Sequence, residues 1–263
     1  MREILEKLAQ GKISVDEAER ALKINVVENV ANVAKLDIGR ELRRNTPEII
    51  FAEGKTTNDL VEICARMLEK NGRVITTRLN DEQSEALTKL FQGFIVQSFP
   101  HARSIVARRD AQEGMRTGGK VGVLTAGTVD LAVAEEATMI ASEMGCETYL
   151  EADAGVAGIH RLVEPLKKLL ESDVDCLIVV AGREGALPTV VAGLVDIPLI
   201  AVPTSSGYGY GGGGEAALMA MLQACSLGLA VVNIDSGIAA GVVAAQIANR
   251  VAKFRANNNL RRH

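Results

Sequence analysis

Cys225, Glu184 and Asp130 are the residues of this 263-residue chain whose types and settings could do covalent or acid–base chemistry. A thiolate is a soft nucleophile that adds to electrophilic carbon and leaves again, while a carboxylate at a sheet edge can move a proton or support a metal ion. Each also has a plainer account. Asp130 and Glu184 each open a helix after a strand, where a carboxylate is favoured by the helix dipole. Cys225 reads as lying about ten residues down a helix from Glu215 to Leu229, far from the N-terminal end that favours a thiolate. No histidine stands near it in sequence, so on residues alone it reads as a buried structural cysteine. The run from Gly207 through Tyr208 and Gly209 to Gly214 lacks both the dinucleotide fingerprint and the Gly-Lys-Ser/Thr of a P-loop. It is either a flexible connection or a backbone cradle for an anionic or planar ligand. His160, beside Arg161, reads as a surface or capping residue. Asp37, Arg40 and Arg43 are spaced to share one helical face, either as a solvated ion-pair face or as a polar clamp on a substrate.

The elements that must position these residues follow from apolar patterning. Residues 1–115 read as a smaller mixed α+β domain. Ser14 to Glu17 has capping-box spacing for a helix ending near Lys23, and Thr57 is expected to cap a helix, Asp59 to Lys70, stopped by Gly72. Val74–Thr77 and Ser104–Ala107 read as strands flanking a helix from Glu82 to Leu90. From 119 to 255 the pattern is regular, with apolar strands at Val121–Leu124, Glu147–Leu150, Cys176–Val180, Leu199–Val202 and Ala230–Ile234, each followed by a helical segment. That alternation predicts a doubly wound parallel sheet. The strand exits, TAGTVD, EADAG, AGREGALP, VPTSSGYGYGGGG and NIDSG, combine glycine with acidic or hydroxyl residues at the edge where such sheets bind ligands. Residues 256–263 read as a polar tail. The segments Glu215–Leu229 and Gly237–Ala248 hold one charged residue and none, which predicts burial against other subunits in a homo-oligomer.

Composition excludes some classes. Net charge is −4 with 48% hydrophobic and 24% charged residues, which argues against nucleic acid as a partner. No apolar run reaches the roughly 18 residues of a membrane span, and MREILEKLAQ lacks the apolar core of a secretory signal. Four cysteines without a CxxC pair argue against a zinc site or a disulfide framework, so the expected location is the cytoplasm.

The stretches LDIGRELRRNTPEIIFAEGKT, LTAGTVDLAVAEEA, EADAGVAGIHRL, AGREGALPTVVAGL and VPTSSGYGYGGGGEAALMAMLQACSLGLAVVNIDSG together resemble the LarB family. These are the pyridinium-3,5-biscarboxylic acid mononucleotide synthases of nickel-pincer cofactor biosynthesis. The C-terminal half is similar, more distantly, to PurE-type aminoimidazole ribonucleotide carboxylases and mutases. The resemblance implies a flavodoxin-like catalytic domain and an octamer. It implies carboxylation of the pyridinium ring of nicotinic acid adenine dinucleotide with CO2 or bicarbonate, and cleavage of its phosphoanhydride to release AMP. Mg2+ on the substrate phosphates is implied, and biotin is not. The family's nucleophile falls on Cys225, and Glu184 matches the acidic residue of the EGALP motif as a proton acceptor or a metal-water partner. Asp37, Arg40, Thr128, Asp130, Asp153, Gly155 and the Gly207–Tyr208–Gly209 loop match ligand-contacting positions. The sequence departs from the family pattern at Val129, where serine is usual, and at Arg183, where the residue is usually apolar. It departs again at Asn45, where glycine is usual, and in SGIAAG. A PurE-like carboxylase or mutase acting on a purine-pathway ribonucleotide is one alternative. A non-catalytic nucleotide-binding module is another.

Overall fold

The computed structural model describes all residues except 1, 25–27, 31–33, 38, 110–115 and 261–263. The expected boundary at 115 therefore lies outside the described residues. The chain forms two compact units, one of residues 1–98 with 103–111 and one of 99–102 with 112–263.

The first unit runs α1 (Arg2–Ala9), α2 (Val15–Ile24), β1 (Glu28–Val30), β2 (Ala34–Leu36), α3 (Arg40–Arg44), β3 (Ile50–Phe51), α4 (Thr57–Asn71), β4 (Arg73–Thr77), α5 (Asp81–Leu90), β5 (Ile95–Phe99) and β6 (Ser104–Arg108). Its four-stranded sheet has the order β3-β4-β6-β5, and β1 pairs antiparallel with β2. Ser14 and Glu17 form the expected capping box at α2. At α4 the cap moves one residue: the Thr56 side chain, not that of Thr57, accepts from Asp59 N, and Gly72 closes the helix in the left-handed region. Leu60, Ile63, Cys64 and Met67 of α4 pack against Val74, Leu87, Phe91 and Ile105 to make this unit's core.

The second unit runs β7 (Lys120–Thr125), α6 (Leu131–Glu143), β8 (Glu147–Glu151), α7 (Val163–Glu171), β9 (Cys176–Ala181), α8 (Ala186–Ala192), β10 (Leu199–Pro203), α9 (Glu215–Leu222), β11 (Leu229–Val231) and α10 (Gly237–Leu260). Its five strands are all parallel in the order β8-β7-β9-β10-β11, the flavodoxin-like winding that changes direction beside the first strand. Leu166, Leu169, Leu187, Val191, Ala217 and Met221 bury one sheet face under α7, α8 and α9. On the other face α10 lies against α6 and the sheet.

Several expectations change here. The helix expected over Glu215–Leu229 stops at Leu222, because the chain must return to the start of β11, where Leu229 pairs with Leu199. The last strand is Leu229–Val231 rather than Ala230–Ile234. Beyond it Asp235 turns with φ +54 and accepts from Ser205 N, which binds that segment to the loop after β10. One face of the apolar half of α10 is covered within the chain, while Val243 is 37% exposed. A side chain at Gly237 or Gly241 would meet Val133 O at 2.2 Å or Ala137 O at 2.6 Å, so the two glycines let α10 close on α6 and bury Ala240, Ala244 and Ala248. The expected polar tail is, to Leu260, the last turns of α10.

Candidate active site

The carboxyl edge of the parallel sheet is tied together by one buried carboxylate. Asp130 is 3% exposed. Its Oδ1 accepts from Thr204 Oγ1 at 2.7 Å and Ser206 Oγ at 3.0 Å, and its Oδ2 accepts from Gly127 N at 2.9 Å. The loop after β7 is thereby bound to the loop after β10. The loop after β9 is pressed against the same hydroxyls, because a Cβ at Gly182 would lie 2.3 Å from Ser206 Oγ and one at Gly207 would lie 2.9 Å from Arg183 N. Gly155, after β8, likewise sits on Ala126 O, which a Cβ would meet at 2.7 Å. Arg161 donates to Asp153 Oδ2 at 3.1 Å and Gly155 O at 3.4 Å.

These loops enclose a cavity of about 720 Å³, within the usual size of cofactor and substrate sites. Asp130, Gly155, Arg161, Arg183, Glu184 and Tyr208 are among its lining residues. Glu184 is exposed at its wall, and among the described residues no cation pairs with it. Thr128, Asp153, Gly207 and Gly209 occupy the same loops without lining the cavity. Thr128 is exposed, Asp153 stands behind Arg161, and Gly207 lies against the Arg183 backbone. Asp130, expected to touch substrate, lines the cavity and also accepts from three internal donors. We predict that Asp130→Ala destabilises the chain by about 2–4 kcal/mol, through loss of charged hydrogen bonds and unpairing of their buried donors. Denaturant unfolding measures this, and a change below about 0.5 kcal/mol, the level of an ordinary surface substitution, would contradict the strut.

Cys225 is placed differently from its sequence reading. It is exposed, and it lies beyond α9 in the 223–228 loop. Ser226 Oγ donates to Thr189 O in α8 at 2.8 Å, and Gly228 O accepts from Leu199 N at the start of β10. The loop thus sits at the amino edge of the sheet, whereas Glu184 is at the carboxyl edge. The other cysteines are buried in apolar packing, which pushes the Cys64, Cys146 and Cys176 thiols up to about 12. Exposed Met219, Leu222 and Leu227 surround Cys225 in sequence.

In the first unit, Asp37 precedes α3 and binds Arg43 through both carboxylate oxygens, while Arg40 donates to Glu48 Oε2 at 3.2 Å. Burial raises the Glu48 carboxyl above its ordinary range, and Arg40 opposes that rise. The ion-pair reading of this polar face is the one the side-chain contacts display. His160 is exposed in a 3₁₀ segment, Val156–Leu162, in keeping with its reading as a surface residue. The sequence reading missed Thr204 and Ser206 as the donors to Asp130, and Arg161 as a lining residue. The hydroxyls of VPTSSG were the available signal.

Residues 27–109 match the LarB/PurE-like N-terminal domain, and residues 120–262 match the AIR carboxylase family. The chain belongs to the LarB family, with a PurE-like C-terminal half. An uncharacterized protein of Methanocaldococcus jannaschii is 41% identical over 256 residues, 96% of this chain and 98% of that protein. The N5-carboxyaminoimidazole ribonucleotide mutase of the same organism is 34% identical over 119 residues, 45% of this chain and 71% of the mutase. LarB-type and PurE-type domains on one chain support a carboxylase-type function. Among the described residues no helix is long and apolar enough to cross a membrane, and no group of three His, Cys, Asp or Glu side chains could hold a metal ion.

Proposed function

We propose that the protein carboxylates the pyridinium ring of nicotinic acid adenine dinucleotide through a transient Cys225 adduct and hydrolyses the phosphoanhydride, giving pyridinium-3,5-biscarboxylic acid mononucleotide and AMP. The observation that carries this reading is the accessibility of Cys225. It is the exposed thiol among three buried ones, and it is the residue on which the LarB nucleophile falls.

A pyridinium ring is electron-poor and cannot attack CO2. Addition of the Cys225 thiolate forms an S–C bond to a ring carbon and moves an electron pair onto the ring nitrogen, leaving a neutral dihydropyridine. Its enamine carbon attacks the carbon of CO2 and becomes tetrahedral. Glu184, as base, takes the proton from that carbon and restores the enamine. Departure of the thiolate then returns the electron pair and the aromatic ring. Mg2+, held by the substrate's own phosphates, would supply charge neutralisation for phosphoanhydride cleavage. Among the described residues Glu184 lines the pocket without an ion-pair partner, whereas Asp130 accepts from three internal donors and Asp153, outside the lining, accepts from Arg161.

Within one chain the thiol and the cavity lie at opposite edges of the sheet, so this reading requires a homo-oligomer in which a second copy presents its Cys225 to the cavity. The octamer implied by resemblance is one assembly that could do so.

The test is to incubate the protein with nicotinic acid adenine dinucleotide, bicarbonate and Mg2+, and to follow products by mass spectrometry. Formation of the dicarboxylated mononucleotide together with AMP is expected. No turnover here, combined with carboxylation or carboxyl migration on an aminoimidazole ribonucleotide, would transfer the assignment to the activity named for the mutase relative.

A further inference from the structure

We infer that Arg183, seated on the face of Tyr208, is a phosphate-gripping residue at the cavity wall that sets the preference of this site for phosphorylated ligands. The inference rests on the proposed function for the identity of the ligand, but its physical basis is independent of the carboxylation chemistry.

Arg183 and Tyr208 come from different strand exits, β9 and β10. The guanidinium carbon stands 4.0 Å from the centroid of the tyrosine ring, and both residues line the cavity. The backbone enforces this meeting. Gly207 lies so close to Arg183 N that a Cβ would meet it at 2.9 Å, and the next residue is Tyr208. Arg183 itself turns with φ +54, a left-handed conformation that costs a non-glycine residue and here aims a long side chain off the rim of the loop.

The two arginines of the cavity differ in what is left for a ligand. Arg161 is committed to Asp153 and to Gly155 O. Arg183 has no carboxylate partner among the described residues. A tyrosine face offers the cation a quadrupole rather than lone pairs, so the N–H groups keep their hydrogen-bonding capacity. Stacking also fixes the planar fork beforehand, which lowers the ordering cost of a bidentate contact to a phosphate.

Equilibrium binding, measured without bicarbonate so that no turnover occurs, separates this role from catalysis. The probes are nicotinic acid adenine dinucleotide, its nicotinamide counterpart, and nicotinic acid riboside, which has no phosphate. Arg183→Met should weaken both dinucleotides by about tenfold or more, the worth of a charge-assisted hydrogen bond. It should leave the riboside within about twofold, since no phosphate contact is lost there. Tyr208→Ala should weaken the dinucleotides about two- to fivefold, the worth of an exposed cation–π pair. An unchanged unfolding midpoint shows that the variants are folded. Loss confined to the acid dinucleotide would make Arg183 a carboxylate contact and overturn the phosphate role. Equal loss for all three probes, or none, would overturn it as well. If the wild type binds neither dinucleotide, the proposed substrate falls, and inorganic pyrophosphate and AMP then decide the clasp. Arg183-dependent binding of either supports it, and absence of such binding refutes it.

Discussion

Cys225→Ser is expected to reduce carboxylation of nicotinic acid adenine dinucleotide by at least about 10³-fold, in keeping with removal of a covalent nucleophile. The hydroxyl is close in size to the thiol and the residue is exposed, so neither packing nor fold should suffer. What changes is the chemistry at both ends of the cycle. An alcohol is scarcely ionised near neutral pH and forms a poor leaving group once attached to carbon, whereas a thiolate both adds and departs readily. Substrate affinity should hold within about threefold while turnover collapses, the pattern of an interaction made only along the reaction path. Intact-protein mass spectrometry supplies a second readout, in which wild-type protein trapped with the dinucleotide carries its added mass and Cys225→Ser does not. Full turnover by the serine variant would remove the covalent mechanism. Substitution of Cys64 or Cys176 should instead lower stability and leave the adduct in place, because burial holds those thiols protonated at neutral pH.

The parallel sheet was legible because β7, β9 and β10 are continuous apolar runs and each is followed by a glycine-bearing exit. The error over α9 has a specific physical origin. EAALMAMLQACSLGLA contains no helix breaker before Gly228, so local propensity continues the helix past Leu222. The register of β11 against β10 ends it, and register is a long-range property that no window of sequence contains. The structural reading of Cys225 inherited that error, since its burial was inferred from a helix that is not there. Asp130 shows the same limit in the site. Its carboxylate was visible, but the donors that turn it into a strut lie 74 and 76 residues further along the chain. The intrachain cover of α10 was partly readable, because Gly237 and Gly241 are four residues apart and therefore share one helix face. Only the fold shows that Val133 and Ala137 of α6 are what that face meets.

Mixing two variants that are inactive alone should restore activity, and this is the result that most directly tests the shared site. Cys225→Ser removes the nucleophile and leaves the cavity intact, while Glu184→Gln removes the base and leaves the thiol. In one chain the 223–228 loop is fixed to the middle of α8 by Ser226, and Glu184 precedes that same helix. Thr189 lies five residues beyond Glu184, about 7.5 Å along the helix axis, toward the opposite edge of the sheet. If a second copy presents Cys225 to the cavity, random assembly of equal amounts gives on the order of a quarter of the sites both an intact cavity and an intact thiol, so about a quarter of wild-type turnover should return. A site contained within one chain predicts no recovery, because every chain in the mixture lacks one group. Met219, Leu222 and Leu227 extend the test, since they are 63%, 66% and 90% exposed on the elements flanking the thiol. Leu222→Asp places a charge in any contact formed there and should weaken assembly and turnover together, while the separately folded chain remains intact. Light scattering reads the assembly and the mass-spectrometric assay reads the turnover. An active monomer, or a mixture no more active than its components, would leave Cys225 without a route to the pyridinium ring.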